Sequence, residues 1–235
     1  MARRKSMRRR HWLLYIFATL ALAVTLGALA YWWDMRSWAP EAAIYPDQGV
    51  LVSDREGLVS FETIRAIGGK FAYLEASRGT TSRDSRFGRN FSAAKRAGLK
   101  VGALHVFNLC SSADAQSANF VTMVPRDAEL LPPAIALIGT ADNCPEKVSD
   151  AAVESELMTF INQVEMHAGQ RAILKLSQDF QARYQIAGSI ERDLWLMRDR
   201  FDPTYGGRPW LLWSANAARV TEASNQPLEW VVVQK

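Results

Sequence analysis

From Trp12 to Trp33 the chain runs WLLYIFATLALAVTLGALAYWW without a single charge. A helix of that length crosses a hydrocarbon layer of about 30 Å. Arg3, Arg4, Lys5, Arg8, Arg9 and Arg10 precede it and predict a basic cytoplasmic N-terminus over residues 1–11, while Tyr31, Trp32 and Trp33 suit the far interface. An uncleaved anchor over residues 12–33 is the expectation, because the apolar core of a signal peptide usually spans only ~7–15 residues. Ala28-Leu29-Ala30 leaves cleavage after Ala30, and secretion, as the alternative. Either route carries the remainder out of the cytoplasm. In a bacterium the anchored form is a single-pass inner-membrane protein with its main domain in the periplasm.

Residues 34–46 (DMRSWAPEAAIYP) show little periodicity and read as a linker to a domain over 47–235. There, short apolar runs alternate with helical patterns. The predicted strands are 49–53, 70–77, 100–107, 134–139, 172–177, 193–198, 209–215 and 228–233. RNFSAAKRAG reads as a helix closed by Gly98. SDAAVESELMTFINQVEMHAG places Val153, Leu157, Phe160, Ile161 and Val164 on one face and stops at Gly169. Strand and helix in repeated alternation indicate an α/β protein with parallel strands. The last three strands follow one another too closely for long helices. The expectation is an irregular TIM-like (β/α)5(β)3 barrel preceded by one transmembrane helix, with any site at the C-terminal strand ends.

Composition changes this picture little. The 49% apolar and 22% charged content is globular, and 235 residues suit one sizeable domain with an appendage. The net charge of +4 belongs to the first ten residues, so no basic face for nucleic acid is expected. Only Cys110 and Cys144 are present, each just after a predicted strand. A disulfide is plausible in an oxidising compartment, and two unpaired thiols are the alternative. Two Cys and three scattered His give no metal-ligand spacing.

GVLVSDREG, FAYLEASRG, DSRFGRNFSAAKRAGLKVGALHVF, LPPAIALIG and RPWLLWSA, in that order, resemble the glycoside hydrolase family 25 lysozymes. The likeness runs over roughly residues 44–233. Asp84-x-x-Phe87-x-x-Asn90, Ala97-Gly98-Leu99, His105, Phe107, Leu131-Pro132-Pro133 and Trp213 carry it. The cysteine pair and anchor look like a membrane-tethered proteobacterial branch. The resemblance implies muramidase chemistry on the peptidoglycan glycan chain, without a cofactor. That chemistry needs one carboxylic acid to protonate the leaving oxygen and another to support the cationic centre. Here the four expected carboxylate positions hold Leu51, Ala136, Ile138 and Glu229, so three carry no ionisable group. The usual lysine after strand two is Glu75, the usual glutamate of the E-G pair is Arg78, and the usual tyrosine before the strand-three histidine is Leu104. No catalytic residue is assigned.

Tyr73, Glu75, His105, Phe107, Trp213 and Glu229 are the candidate substrate-binding residues. Trp195 and Trp230 are further aromatics able to line a groove, although strand aromatics are commonly core. His105 lacks a catalytic partner at motif spacing and also reads as a structural histidine. Asp84 and Asn90 read as fixing the loop and helix after strand two. Glu75 and Glu229 admit two readings: a relocated acid pair, or single carboxylates each held by an arginine such as Arg78 or Arg219. Three functions follow: an inactive tethered domain that binds peptidoglycan or a wall-processing protein, an active muramidase with relocated acids, or a structural module with its cleft packed shut.

Overall fold

The computed structural model describes residues 2–234, and the basic cluster Arg3–Arg10 lies outside the side chains it describes. The chain divides into two compact units, one up to Trp38 and one from Ala39 onward. The first is helix α1 (Ala2–Ser37). Its stretch Leu14–Ser37 is long and apolar enough to cross a membrane, a property that signal sequences share. The expected linker therefore splits. Residues up to Ser37 continue α1, while Gln48 donates to the carbonyls of Pro40 and Tyr45, and Tyr45 packs on Trp210 and Trp213.

The second unit is a barrel. In chain order its strands are β1 (Gln48–Val52), β2 (Gly69–Arg78), β3 (Ser82–Arg83), β4 (Lys100–Val106), β5 (Ala134–Leu137), β6 (Ile173–Leu176), β7 (Asp193–Met197), β8 (Leu212–Arg219) and β9 (Leu228–Val233). The hydrogen-bonded order is β1-β9-β8-β7-β6-β5-β4-β2-β3, and pairing of β1 with β2 closes the ring. Eight strands form the wall, and the two-residue β3 is a flap on β2. Helices α2 (Phe61–Ala66), α3 (Phe87–Arg96), α4 (Ala113–Met123), α5 (Asp150–Ala168) and the pair α6 (Gln178–Tyr184) and α7 (Ile186–Ser189) follow the first five wall strands. β7, β8 and β9 follow one another without a helix. This is the (β/α)5(β)3 pattern that the spacing of apolar runs predicts. Within the wall all neighbours run parallel except β9, which is antiparallel to both β1 and β8, and the flap β3 is antiparallel to β2.

α5 shows why the sequence was informative there. Ser149 caps it by accepting the Ala152 N–H, Gly169 ends it in the left-handed region, and the five predicted apolar residues are its buried face. α4 escaped that test because its buried face includes Gln116, Ser117 and Asn119. β8 starts three residues later than predicted and extends through Asn216-Ala217-Ala218-Arg219.

Inward-facing side chains fill the barrel in layers. Phe71, Tyr73, Leu104, Ala134, Ile173, Trp195, Leu212 and Val231 form its axial core. Gly102 is required there, since a Cβ on it would lie 2.3 Å from the Tyr73 ring.

Candidate functional site

In a parallel barrel the strand ends that carry loops converge at one mouth. β9 enters that mouth by its first residues, because it runs the opposite way. Register brings the groups together: Leu51 lies opposite Glu229, and Val106, Ala136, Lys175 and Trp195 are successive partners across β4, β5, β6 and β7. The result is a cavity of about 220 Å³ lined by all four expected carboxylate positions, Leu51, Ala136, Ile138 and Glu229. Leu104, Val106, Met197, Ala217 and Pro227 add apolar wall, and Ser53, Arg55, Glu56, Glu75, Arg78 and Lys175 add polar groups.

Each carboxylate in this cavity is engaged. Lys175 Nζ lies 2.6 and 2.7 Å from the two Glu229 oxygens. Lys175 is 2% exposed and Glu229 17%. The Ser214 hydroxyl donates to Glu229, and Trp195 Nε1 donates to Ser214 Oγ at 2.7 Å. The Lys175 ammonium also sits 4.9 Å from the Trp195 ring centroid. Glu75 accepts Arg55 at 2.9 Å and Arg78 at 2.9 and 3.0 Å. Glu56 accepts the N–H and hydroxyl of Ser53 and closes a capping box. The expectation that Arg78 holds Glu75 agrees with this geometry. The expectation of an arginine on Glu229 is corrected: its cation is Lys175, and Arg219 lies over the Trp230 ring at 4.1 Å.

Lys175 is the site residue that sequence reasoning missed. The signal was a lysine in the centre of AILKLS, a strand flanked by strands on both edges and buried along its whole length. A lysine in such a place must find an anion. The residue beside it in register is Ala136, whose small side chain leaves room for the lysine stem.

Of the six candidate substrate-binding residues, Glu75 and Glu229 line the mouth. The other four, Tyr73, His105, Phe107 and Trp213, are buried and do not line this cavity. Tyr73 lies in the barrel axis, donates to the Pro132 carbonyl and has its phenol pushed up by burial. Phe107 packs on Phe160 at 5.2 Å. Trp213 is buried against Tyr45 and Trp210, with Nε1 donating to the Arg198 carbonyl. Trp230 is buried and donates to Gln48, and Trp195 supports the mouth from below.

His105 is wholly buried against Phe160, with Nδ1 2.8 Å from Ser77 Oγ and Nε2 3.3 Å from Gln116 Oε1. It is the structural histidine of the two readings. Burial pushes its imidazole down to about 4, against an unfolded value of about 6.5. Between those values the unfolded chain binds a proton that the native chain does not, so stability falls as pH drops through the window. The expected loss is about 2 kcal/mol by pH 5. Urea midpoints measured from pH 7 to 5 check it: the decline flattens in His105→Gln, and an equal decline there excludes His105 as its cause.

Asp84 is structural as expected: its carboxylate accepts the N–H groups of Asp54 and Arg86, tying the β1 loop to the start of α3. Asn90 is buried in α3. Cys110 and Cys144 are bonded, joining the loops after β4 and β5. Among the described residues no group of three or more His, Cys, Asp or Glu is arranged to hold a metal ion.

Comparison with known proteins agrees with this architecture. The chain is similar to a family 25 glycosyl hydrolase from Bacillus anthracis, with a TM-score of 0.76 and 23% identity, over 85% of this chain and 93% of that one. It is similar to a bacterial lysozyme from Streptomyces coelicolor, with a TM-score of 0.70 and 20% identity, over 80% and 92%. At such identities these structures establish the fold. Over 73 residues the chain is 33% identical to lysozyme M1 of Streptomyces globisporus. The matched stretch is 31% of this chain and spans a quarter of the length of that curated relative. The model of the glycosyl hydrolases family 25 matches residues 50–215, which is most of the barrel, and the chain belongs to that family.

Proposed function

We propose that this protein is a membrane-tethered, catalytically inactive family 25 domain that binds the glycan of peptidoglycan at the barrel mouth. One observation carries the reading: the four positions where the family resemblance expects carboxylates converge on one cavity, and of those four only Glu229 is acidic, bound to Lys175 and Ser214. General acid–base assistance contributes about 10²–10⁴-fold to such reactions, and electrostatic support of the transition state a comparable factor. Leu51, Ala136 and Ile138 can supply neither. The mouth nevertheless stays open, with Ile138 43% exposed at its edge, which favours a binding role over a cleft packed shut.

The apolar helix serves as the anchor in this reading. The basic residues before it hold the N-terminus in the cytoplasm, and the barrel faces the wall from the periplasm.

The test is to mix the full chain, purified in detergent, with peptidoglycan sacculi. The expected result is co-sedimentation without release of reducing ends, beside an active lysozyme as control. Reducing ends released at a rate that Glu229→Gln abolishes would instead establish an active muramidase with relocated acids.

A further inference from the structure

Lys175 has no counterpart among the groups that glycan cleavage needs, yet it occupies the centre of the mouth. Its ammonium meets both oxygens of Glu229 at 2.6 and 2.7 Å and faces the Trp195 ring at 4.9 Å. A carboxylate and an aromatic face are the two features that recognise an ammonium ion. The protein's own side chain therefore fills the place that a cationic ligand would seek. No other carboxylate in the cavity takes over that role. Glu75 lies between Arg55 and Arg78, and Glu56 is drawn onto Ser53. Three cations face three carboxylates, and apart from Ser53 the remaining wall is hydrocarbon.

A cationic ligand has two ways to enter. It can displace Lys175 from Glu229, which leaves an ammonium 2% exposed and unpaired. Otherwise it must settle beside three positive groups whose carboxylates are already engaged, with no anion left to offset its own charge. A neutral acetamido group meets neither obstacle, and its methyl can lie on Leu51, Ile138 or Met197. Resting on the reading that the mouth takes glycan, we infer that Lys175 is its specificity-determining residue: as a resident cation it makes the mouth accept neutral N-acetylated saccharides and refuse amino sugars that carry a free ammonium.

The experiment measures binding of two probes to the full chain in detergent: an N-acetylglucosamine oligomer and the glucosamine oligomer of equal length. The pH is about 6, below the ordinary range of such amines. Wild type is expected to bind the acetylated oligomer and not the glucosamine one. Lys175→Met keeps a straight apolar stem against Trp195 and frees Glu229. It is expected to bind the glucosamine oligomer roughly tenfold to a hundredfold more tightly than wild type does, the equivalent of one charge-assisted hydrogen bond. Adding Glu229→Gln to that variant removes the gain.

A folded Lys175→Met with no gain for the glucosamine oligomer overturns the inference, as does a wild type that binds both oligomers equally. If Lys175→Met does not fold, Glu229→Gln supplies the reciprocal readout, because its amide oxygen can still accept the Lys175 ammonium without balancing its charge. The uncompensated charge must then raise the affinity for a glucuronic acid oligomer by the same factor, and no gain overturns the inference. If wild type binds neither sugar while Lys175→Met takes up the glucosamine oligomer, the glycan reading fails and only the exclusion of ammonium ligands by Lys175 stands.

Discussion

Reduction of the Cys110–Cys144 bridge is expected to destabilise the barrel by about 4 kcal/mol, the chain-entropy value for a loop closed by residues 34 apart. The effect is predicted to act through the unfolded state and not by releasing the mouth loops. Gln116 independently holds the loop after β4: its side chain accepts the Asn108 N–H and donates to the carbonyls of Asn108 and Ser111. Glu156 of α5 accepts the Ala113 N–H at the start of α4. Those contacts remain when the sulfurs part, so the native mouth keeps its shape. Cys110 is exposed, so a thiol reductant can reach the bridge. Two measurements check the prediction together. Urea midpoints of the full chain should fall with reductant, and Cys110→Ser with Cys144→Ser should reproduce the fall. Sedimentation with sacculi should be unchanged under native conditions. An unchanged midpoint removes the bridge as a stabilising element, and lost sedimentation makes it a part of the site.

The elements that sequence reveals here are those whose burial is periodic. All eight wall strands are visible as apolar runs, and α5 as a 3.6-residue stripe ending at Gly169. The face each strand residue points to is not visible. In parallel strands buried on both sides, apolar residues occupy both faces, so alternation carries no orientation. That is why Phe107 and Trp213 pass as groove candidates although they pack outside the axis, against Phe160 and Tyr45. Register settles what alternation cannot. Leu51 is known to face Glu229 only once β1 and β9 are paired, and Lys175 meets a carboxylate 54 residues away across the barrel. The positions of the mouth were legible because ordered motifs resemble a family. Its electrostatics were not, because Lys175 lies outside those motifs and its partner is fixed by closure of the sheet.

Replacing Glu229 by leucine is expected to damage the fold more than replacing Lys175 by methionine. Removing one partner of a buried ion pair costs about 3–5 kcal/mol, because the other charge stays behind without a counterion. Glu229→Leu leaves the Lys175 ammonium, 2% exposed, with the Trp195 ring at 4.9 Å and without its carboxylate. Lys175→Met leaves a carboxylate that is 17% exposed, still accepts the Ser214 hydroxyl and can meet water through the mouth. The first change should fall at the upper end of that range and the second at or below its lower end. The double change Lys175→Met with Glu229→Leu strands neither charge and should recover most of the loss, since apolar replacements of buried pairs are often neutral or stabilising. A double-mutant cycle on urea midpoints measures this: single losses of about 5 and about 3 kcal/mol with a double loss of about 2 or less mean a coupling of about 6 kcal/mol. Additive single and double effects would mean that the two side chains do not form the pair described. A double variant as stable as wild type would carry a further consequence. The charged pair would then not be needed for folding, and its presence at the mouth would call for an explanation in what enters that mouth.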